Sequence, residues 1–346
     1  MDIDFDEITY LKNPGPRVLK ADYIQFLMTL TGPTVIDITG NDEDKSRVFT
    51  TLLHGDEPSG LIAMHRWLTA NEKLPIPTTH VRFIICSVEA ATMSPIFSRR
   101  YVNGGKDINR CFSDDAAGNC GFCRRALLIE QAIKEVTPEI VVDLHNCAGS
   151  GPAFAVAPII TPETLSITSY FCQTIILSGL QLGTLMEQKF DCPMITVKCG
   201  GSTDEQSHHV AYEGLKQLTL NEESKNFQQN RSVDIIYKPL RLVLQPNTDL
   251  SYNNHDEGFT GVCIKSNIEQ LNYGISRKDQ MLGWVDDKGL NNFELINEYG
   301  DNVISDYFCC QKNILRCAVD LRIFMATDNK TITLSDCLFY VVKMNG

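Results

Sequence analysis

The run Val48-Phe49-Thr50-Thr51-Leu52-Leu53-His54-Gly55-Asp56-Glu57-Pro58 decides how the rest of the chain is read. Its first six residues are apolar or β-branched and of strand length. Pro58 suits the first turn of a helix whose apolar pattern continues from Leu61 to Leu68. A strand entering a helix through a short turn puts His54 and Glu57 at the strand's carboxyl end, where open α/β sheets place their ligand sites. The three-residue spacing across that turn lets imidazole and carboxylate converge.

A second run, Ile140-Val141-Val142-Asp143-Leu144-His145, is again an apolar strand ending in a histidine. Alternation along a strand puts Asp143 and His145 on one side, so Asp143 supports His145 from behind or lines the pocket. Two imidazoles and one carboxylate form the ligand set that leaves catalytic zinc an open position for water. Singly, each piece is weak: a strand-end histidine is more often a hydrogen-bonded loop residue, and Glu57 alone would be a first-turn carboxylate facing the helix dipole. Jointly they are stronger, because of the seven histidines only His54 and His145 end apolar strands beside acidic neighbours. His65, His80, His208, His209 and His255 lie on helical or polar segments and read as surface or packing residues.

Outward from these two runs, further strand-length apolar segments recur at Val35 to Ile38, Val81 to Val88, Ala153 to Ala157 and Met194 to Val197. Helical patterns separate several of them, at Arg124 to Val136, Leu165 to Leu177 and Asp204 to Leu218. Strands alternating with helices imply an α/β sheet covered on both faces. From Ile235 the segments become short and β-rich, as in Arg241 to Leu244, Gly261 to Ile264, Phe293 to Ile296 and Phe339 to Val342. Turn chemistry such as Asn253-Asn254, Asp286-Asp287-Lys288-Gly289 and Asp328-Asn329 separates them. The expected division is therefore 1–234 and 235–346, with the polar stretch 221–231 read as a long loop near the boundary.

A length of 346 residues, 43% hydrophobic and 21% charged, fits a globular protein with one large domain and a smaller one. The net charge of -12 and pI of about 5.1 argue against a nucleic-acid partner, which calls for a basic face. The acidic start Met1-Asp2-Ile3-Asp4-Phe5-Asp6-Glu7 lacks the basic residues and apolar run of a secretory signal. No apolar stretch reaches the roughly eighteen residues that span a bilayer, so the expectation is a cytoplasmic protein without a membrane partner. A homo-oligomer stays open. The 13 cysteines, an odd number, read as reduced and mostly buried thiols. Cys120-Gly121-Phe122-Cys123 lacks a second pair, an adjacent histidine and a preceding strand, so it reads as coincidence. Gly149-Ser150-Gly151 and Gly200-Gly201-Ser202 lack the spacing of phosphate loops, and Ser150 has no nucleophile elbow around it.

A third cluster runs from Arg99 to Phe112 and includes Arg100-Tyr101 and Asp107-Ile108-Asn109-Arg110-Cys111-Phe112. It follows the strand at Val81 to Val88 and so belongs to a long loop on the rim that carries the ligands. Guanidinium groups bind carboxylates through paired hydrogen bonds, and a neighbouring amide adds direction. An anionic substrate is the natural inference.

In that order, His-Gly-Asp-Glu-Pro-Ser-Gly (54–60), Arg-Tyr with Asp-Ile-Asn-Arg-Cys-Phe (100–112) and Asp-Leu-His-Asn (143–146) resemble the succinylglutamate desuccinylase and aspartoacylase family. This is the deacylase branch of the zinc-carboxypeptidase-like hydrolases, and the resemblance spans roughly residues 48 to 220. It implies an α/β fold, a zinc-carboxypeptidase-like mixed sheet flanked by helices, with a smaller C-terminal all-β domain. It also implies one zinc ion per chain held by His54, Glu57 and His145, with Arg100, Asn109 and Arg110 gripping a substrate carboxylate or polarising the scissile carbonyl. The implied substrate is a small anionic N-acyl amino acid carrying a succinyl or acetyl group. Metal-bound water attacks the amide in such enzymes, and a glutamate takes the water's proton and passes it to the leaving amine.

That glutamate is where the sequence departs from the pattern. It is expected near a strand end, before a small residue and a glycine. The matching segment Met194-Ile195-Thr196-Val197-Lys198-Cys199-Gly200-Gly201 puts Lys198 in its place. An ammonium group cannot accept a proton, and beside zinc it adds positive charge. Lys198 and Arg100 are thus the catalytic candidates, on three accounts. Lys198 is neutral beside the ion and serves as the base; another carboxylate, Asp204 or Glu205, substitutes; or catalysis is crippled on a fold built for it, which is the favoured account. Two alternatives accompany the deacylase reading: a zinc carboxypeptidase or amidase acting on peptides, and an inactive metal- or ligand-binding homologue.

Overall fold

The structure, a computed structural model, describes residues 3–70, 73–113, 120–147, 149–179, 181–220, 232–256, 258–335 and 337–344. Its alternating apolar runs form one nine-stranded sheet. The strands are β1 (Thr9–Lys12), β2 (Thr34–Ile38), β3 (Asp42–Thr51), β4 (Thr79–Ile85), β5 (Pro138–Cys147), β6 (Phe154–Ala157), β7 (Thr174–Leu177), β8 (Met194–Gly201) and β9 (Asp234–Tyr237). Their spatial order is β1-β2-β4-β3-β5-β8-β6-β7-β9. β4, β3, β5 and β8 run parallel at the centre, while β2 pairs antiparallel with β4 and β6 antiparallel with β8, so the sheet is mixed.

Helices α1 (Ser59–Thr69), α2 (Gly121–Lys134), α3 (Pro162–Phe171) and α4 (Glu205–Leu220) flank the sheet. Successive residues of a strand face opposite ways, and both faces are buried here. Phe49 and Val142 pack with Leu61, Trp67, Ile167 and Leu215 of α1, α3 and α4. Val48 and Val141 pack with Ala126, Ile129 and Ile133 of α2. Each fully buried aliphatic or aromatic side chain contributes roughly 1.5–3 kcal/mol. Asp143 and His145 share the face of Val141, and Thr196 and Lys198 share that of Met194, so all four polar side chains project from the α2 side.

Three expectations shift at their edges. The strand expected from Val48 begins at Asp42 and stops at Thr51, and that expected to reach Val88 stops at Ile85, with Val88–Ala91 forming a helical turn. The helical pattern expected through Leu177 breaks after Phe171. Cys172 is extended (φ -157°, ψ 175°), and the β-branched run that follows becomes β7 instead.

The chain divides into two compact units: 1–147 with 153–235, and 236–346 with 148–152. The second is all-β apart from short helical turns. One five-stranded sheet holds Leu240–Leu244, Ile275–Ser276, Phe293–Leu295, Leu321–Phe324 and Phe339–Lys343. The other holds Leu250–Tyr252, Val262–Ile264, Met281–Val285, Phe308–Gln311 and Ile314–Cys317. Leu242, Ile264, Phe293, Phe308 and Val341 are among its buried core residues. The stretch 221–231, read from sequence as a long loop, lies outside the described residues. Among the described residues no helix is long and apolar enough to cross a membrane.

Candidate metal centre

Two close approaches position the turn after β3. Leu52, fully buried, adopts φ 53°, a left-handed conformation costing roughly 1–2 kcal/mol, and it turns the chain out of the strand. Gly60, in the first turn of α1, lies so near the sheet that a Cβ would sit 2.4 Å from Thr51 Oγ1 and 2.8 Å from Leu144 Cβ. The start of α1 is thereby pressed onto β3 and β5, bringing Glu57 toward the end of β5. The amide of Gly55 donates to the Arg100 carbonyl at 2.9 Å and ties the 92–107 loop to the same turn.

His54, Glu57 and His145 are 2%, 6% and 1% exposed, and one donor atom from each lies within 4.8 Å of the others. His54 Nδ1 meets Glu57 Oε1 at 3.0 Å, and His145 Nδ1 meets Glu57 Oε2 at 2.5 Å. The opposite nitrogen of each ring is held by an aspartate: His54 Nε2 to Asp107 Oδ1 at 2.9 Å, and His145 Nε2 to Asp143 Oδ2 at 2.7 Å. Asp143, fully buried, also accepts from Thr50 Oγ1 at 2.6 Å. A carboxylate behind each imidazole fixes its tautomer and leaves the other nitrogen's lone pair for a metal. With two imidazole nitrogens and a carboxylate converging, the donor set fits zinc with one position open.

Asn146 locks the far side of Glu57. Its amide nitrogen donates to Glu57 Oε2 at 3.0 Å. Its side chain bridges Ser59 Oγ (2.7 Å) and the Gly200 carbonyl (3.0 Å), and accepts from the Ser59 amide at 3.1 Å. Ser59 Oγ in turn meets His208 Nδ1 at 2.9 Å. Asp107, Asn146 and Ser59 are the residues of this cluster that sequence reasoning gave no role. Asp107 stood inside the quoted Asp-Ile-Asn-Arg motif. The Asn146–Ser59 pair spans 87 positions and leaves no spacing signal.

Lys198 lies in this centre. On the parallel ladder it is the register partner of His145. Its Nζ donates to the Asn146 carbonyl at 3.1 Å and lies 3.7 Å from Glu57 Oε1. Arg100 also reaches Glu57 Oε1, from Nη1 at 3.3 Å, and pairs with Asp107 Oδ2 at 3.1 Å. Burial pushes the Glu57 carboxyl up, but the charges of Lys198, His54 and His145 outweigh it and hold the group well below the usual carboxylate range. Asp107 behaves alike: burial is overcome by His54 and Arg100, and its carboxyl is held low. The imidazole of His145 is depressed by burial, yet Asp143 and Glu57 raise it above the ordinary value.

The other candidates are distributed around this core. Asn109 is buried, and its Oδ1 accepts from the Leu185 amide at 2.9 Å; Arg110 donates Nη1 to the Asn109 carbonyl at 2.8 Å. Glu205 lines a separate groove with Tyr23, Ile62, Arg66 and His208. Asp204 packs against Gly201 at the turn into α4.

Residues 47–188 match the family described as the succinylglutamate desuccinylase/aspartoacylase catalytic domain. That segment belongs to the succinylglutamate desuccinylase/aspartoacylase family. It carries His54, Glu57, His145, Arg100, Asn109 and Arg110 and ends before β8, so Lys198 lies beyond it. Solved structures are similar in fold. A succinylglutamate desuccinylase from Vibrio cholerae is 13% identical over 95% of this chain and 96% of its own, with a TM-score of 0.60. A succinylglutamate desuccinylase/aspartoacylase from Rhodobacter sphaeroides is 15% identical over 90% and 88%, with a TM-score of 0.57. Murine aminoacylase 3 is 13% identical over 88% and 96%, with a TM-score of 0.53. No curated protein matches the chain. The mixed sheet with its flanking helices and the C-terminal β sheets is thus the fold these solved structures share.

Proposed function

We propose that the chain is a zinc-dependent hydrolase that removes an N-acyl group, succinyl or acetyl, from a small anionic amino acid in the cytoplasm. The observation that carries the proposal is the pair of buried imidazoles, each backed by an aspartate and each turning Nδ1 toward Glu57. A zinc ion bound there would supply an acidified water and charge stabilisation for the oxyanion. The chain's own groups account for the rest. Asp107 and Asp143 keep both rings oriented, and the Asn146 amide keeps Glu57 Oε2 in place. Arg100 and Arg110 bring guanidinium charge to the rim, which suits a carboxylate substrate.

Lys198 sets the limit on this activity. It donates to a backbone carbonyl and pairs with Glu57, so it acts as a cation rather than as a proton acceptor. Turnover therefore sits well below that of a variant with a carboxylate at position 198. The same contact favours a second reading, a homologue that holds metal or anion without turning over.

Zinc content, measured together with acetate and succinate release from N-acetylaspartate and N-succinylglutamate, tests both readings. Bound zinc with release supports the hydrolase. Bound zinc without release, restored by Lys198→Glu, identifies the disabled form. A protein that takes up no zinc sinks the hydrolase and the metal-holding homologue alike.

A further inference from the structure

Cys120 is the N-cap of α2, with an extended backbone (φ -91°, ψ 120°), and its carbonyl accepts from the amides of Cys123 at 3.0 Å and Arg124 at 3.1 Å. The N-cap residue and the third helical residue face each other across the first turn, the relation that lets a capping box close. Here both positions carry thiols, on residues joined by the backbone hydrogen bond from the Cys123 amide to the Cys120 carbonyl. Cys120 is partly exposed, whereas Cys123 is 6% exposed. The thiol of Cys111, buried like Cys123, donates to the Asp107 carbonyl at 3.5 Å.

The motif has no strand before it, which from sequence alone made it a coincidence. The 14-residue helix provides what the strand would not, an N-terminus that favours a thiolate. Burial pushes the Cys120 thiol up slightly, but the amides of Cys123 and Phe122, the Cys123 thiol and Lys106 outweigh it and hold it below the ordinary value. Burial and the Cys120 thiol push Cys123 up, and burial with the Cys123 and Cys120 thiols raises Cys111 to about 12.

We infer that Cys120 and Cys123 are a redox-active dithiol, with Cys120 the attacking sulfur and Cys123 the resolving one, whose co-reactant is a low-molecular-weight disulfide. The Cys120 thiolate attacks one sulfur of the disulfide RSSR, forming a mixed disulfide and releasing RS⁻, which takes up a proton. Cys123 then loses its proton and attacks the Cys120 sulfur, expelling the second RS⁻, which is protonated in turn. The protein loses two hydrogens and two electrons, and RSSR becomes two RSH. Side chains on an N-cap residue and the third helical residue, facing each other across one turn, reach the S–S separation of about 2.05 Å by side-chain rotation.

The test exposes the full chain to glutathione buffers of increasing oxidised fraction, alkylates the remaining thiols and weighs the tryptic peptide 111–124. Wild type and Cys111→Ser should each lose two hydrogens there and regain them with dithiothreitol. Cys120→Ser should keep every thiol, and Cys123→Ser should stop with one glutathionyl group on Cys120. Wild-type Cys120 and Cys123 that stay fully alkylated in fully oxidised glutathione would overturn the inference. So would a Cys120→Ser protein that still closes a disulfide, which would mark Cys111 and Cys123 as the pair. Far-UV circular dichroism on the same samples keeps the chemistry separate from unfolding.

Discussion

The carboxyl ends of β5 and β8 lie side by side, His145 paired with Lys198 and Asp143 with Thr196, yet the two strands are built for different purposes. On β5 the side chains form a supported column: Thr50 holds Asp143, Asp143 holds His145, and His145 turns its free nitrogen to Glu57. On β8 the corresponding position carries a cation that neutralises Glu57 directly. One strand orients an imidazole that could hold a metal, and the other supplies a fixed charge where a metal's charge would fall. The difference teaches that ligand geometry and the chemistry of the base position are set by separate strands and can change independently.

Removing Glu57 should break the comparison outright, because both strands converge on it. Glu57→Ala should abolish stoichiometric zinc uptake, checked by chelator competition, and leave Lys198 and Arg100 as partly buried cations without their shared partner. Lys198→Glu should sharpen it. On the proposed reading, amide hydrolysis should rise by about 10²–10⁴-fold, the usual worth of a general base, read as acetate or succinate release. Without zinc the same variant should lose thermal stability, because two carboxylates then face each other, and added zinc should restore it. Asp143→Asn leaves Glu57 and Lys198 in place and should weaken zinc binding by about 10–100-fold with the ligands themselves intact.

A third in-register pair gives the smallest effect and a structural reference. Asp37 on β2 faces Arg82 on β4, with hydrogen bonds of 2.7 and 2.8 Å from Nε and Nη2, and His80 Nε2 lies at 3.2 Å. Burial pushes the Asp37 carboxyl up, but His80 and Arg82 outweigh it and hold it at about 2, below the ordinary 3.8. A depressed carboxyl contributes stability that is fully present above the unfolded value and is lost as pH falls through the folded one. Asp37→Asn should therefore cost about 2 kcal/mol in urea unfolding at pH 7, with the gap to wild type closing between pH 4 and pH 2. An equal gap at both ends of that range would show that packing, not charge, holds the pair.

Of the three candidate metal donors, His54 and His145 were legible because each ends an apolar run, and Glu57 because it stands three residues after His54. The long helices and the β-rich second unit were legible through periodicity sustained over many residues. What escaped was contact between segments. Asp107 reaches His54 across 53 positions, and Asn146 bridges Ser59 to Gly200 through atoms that no spacing rule links. Lys198 was legible as a departure, but its hydrogen bond to the Asn146 carbonyl was not, since a backbone acceptor has no signature in sequence. The stretch 165–177 misled because a helix and a strand meet there with only Cys172 and Gln173 between them, and apolar content alone does not tell the two apart.

Gly60 ties these levels together. Helix and sheet meet there at a gap too narrow for one methyl group, and Glu57, three residues earlier, inherits its position from that gap. The thickness of the layer thus acts as a gauge for the ligand triangle. Even an alanine at this position would displace the first turn of α1 and carry Glu57 away from the imidazoles on β5 and after β3, so the spacing of the three candidate donors doubles as a measure of how closely one helix rests on its sheet.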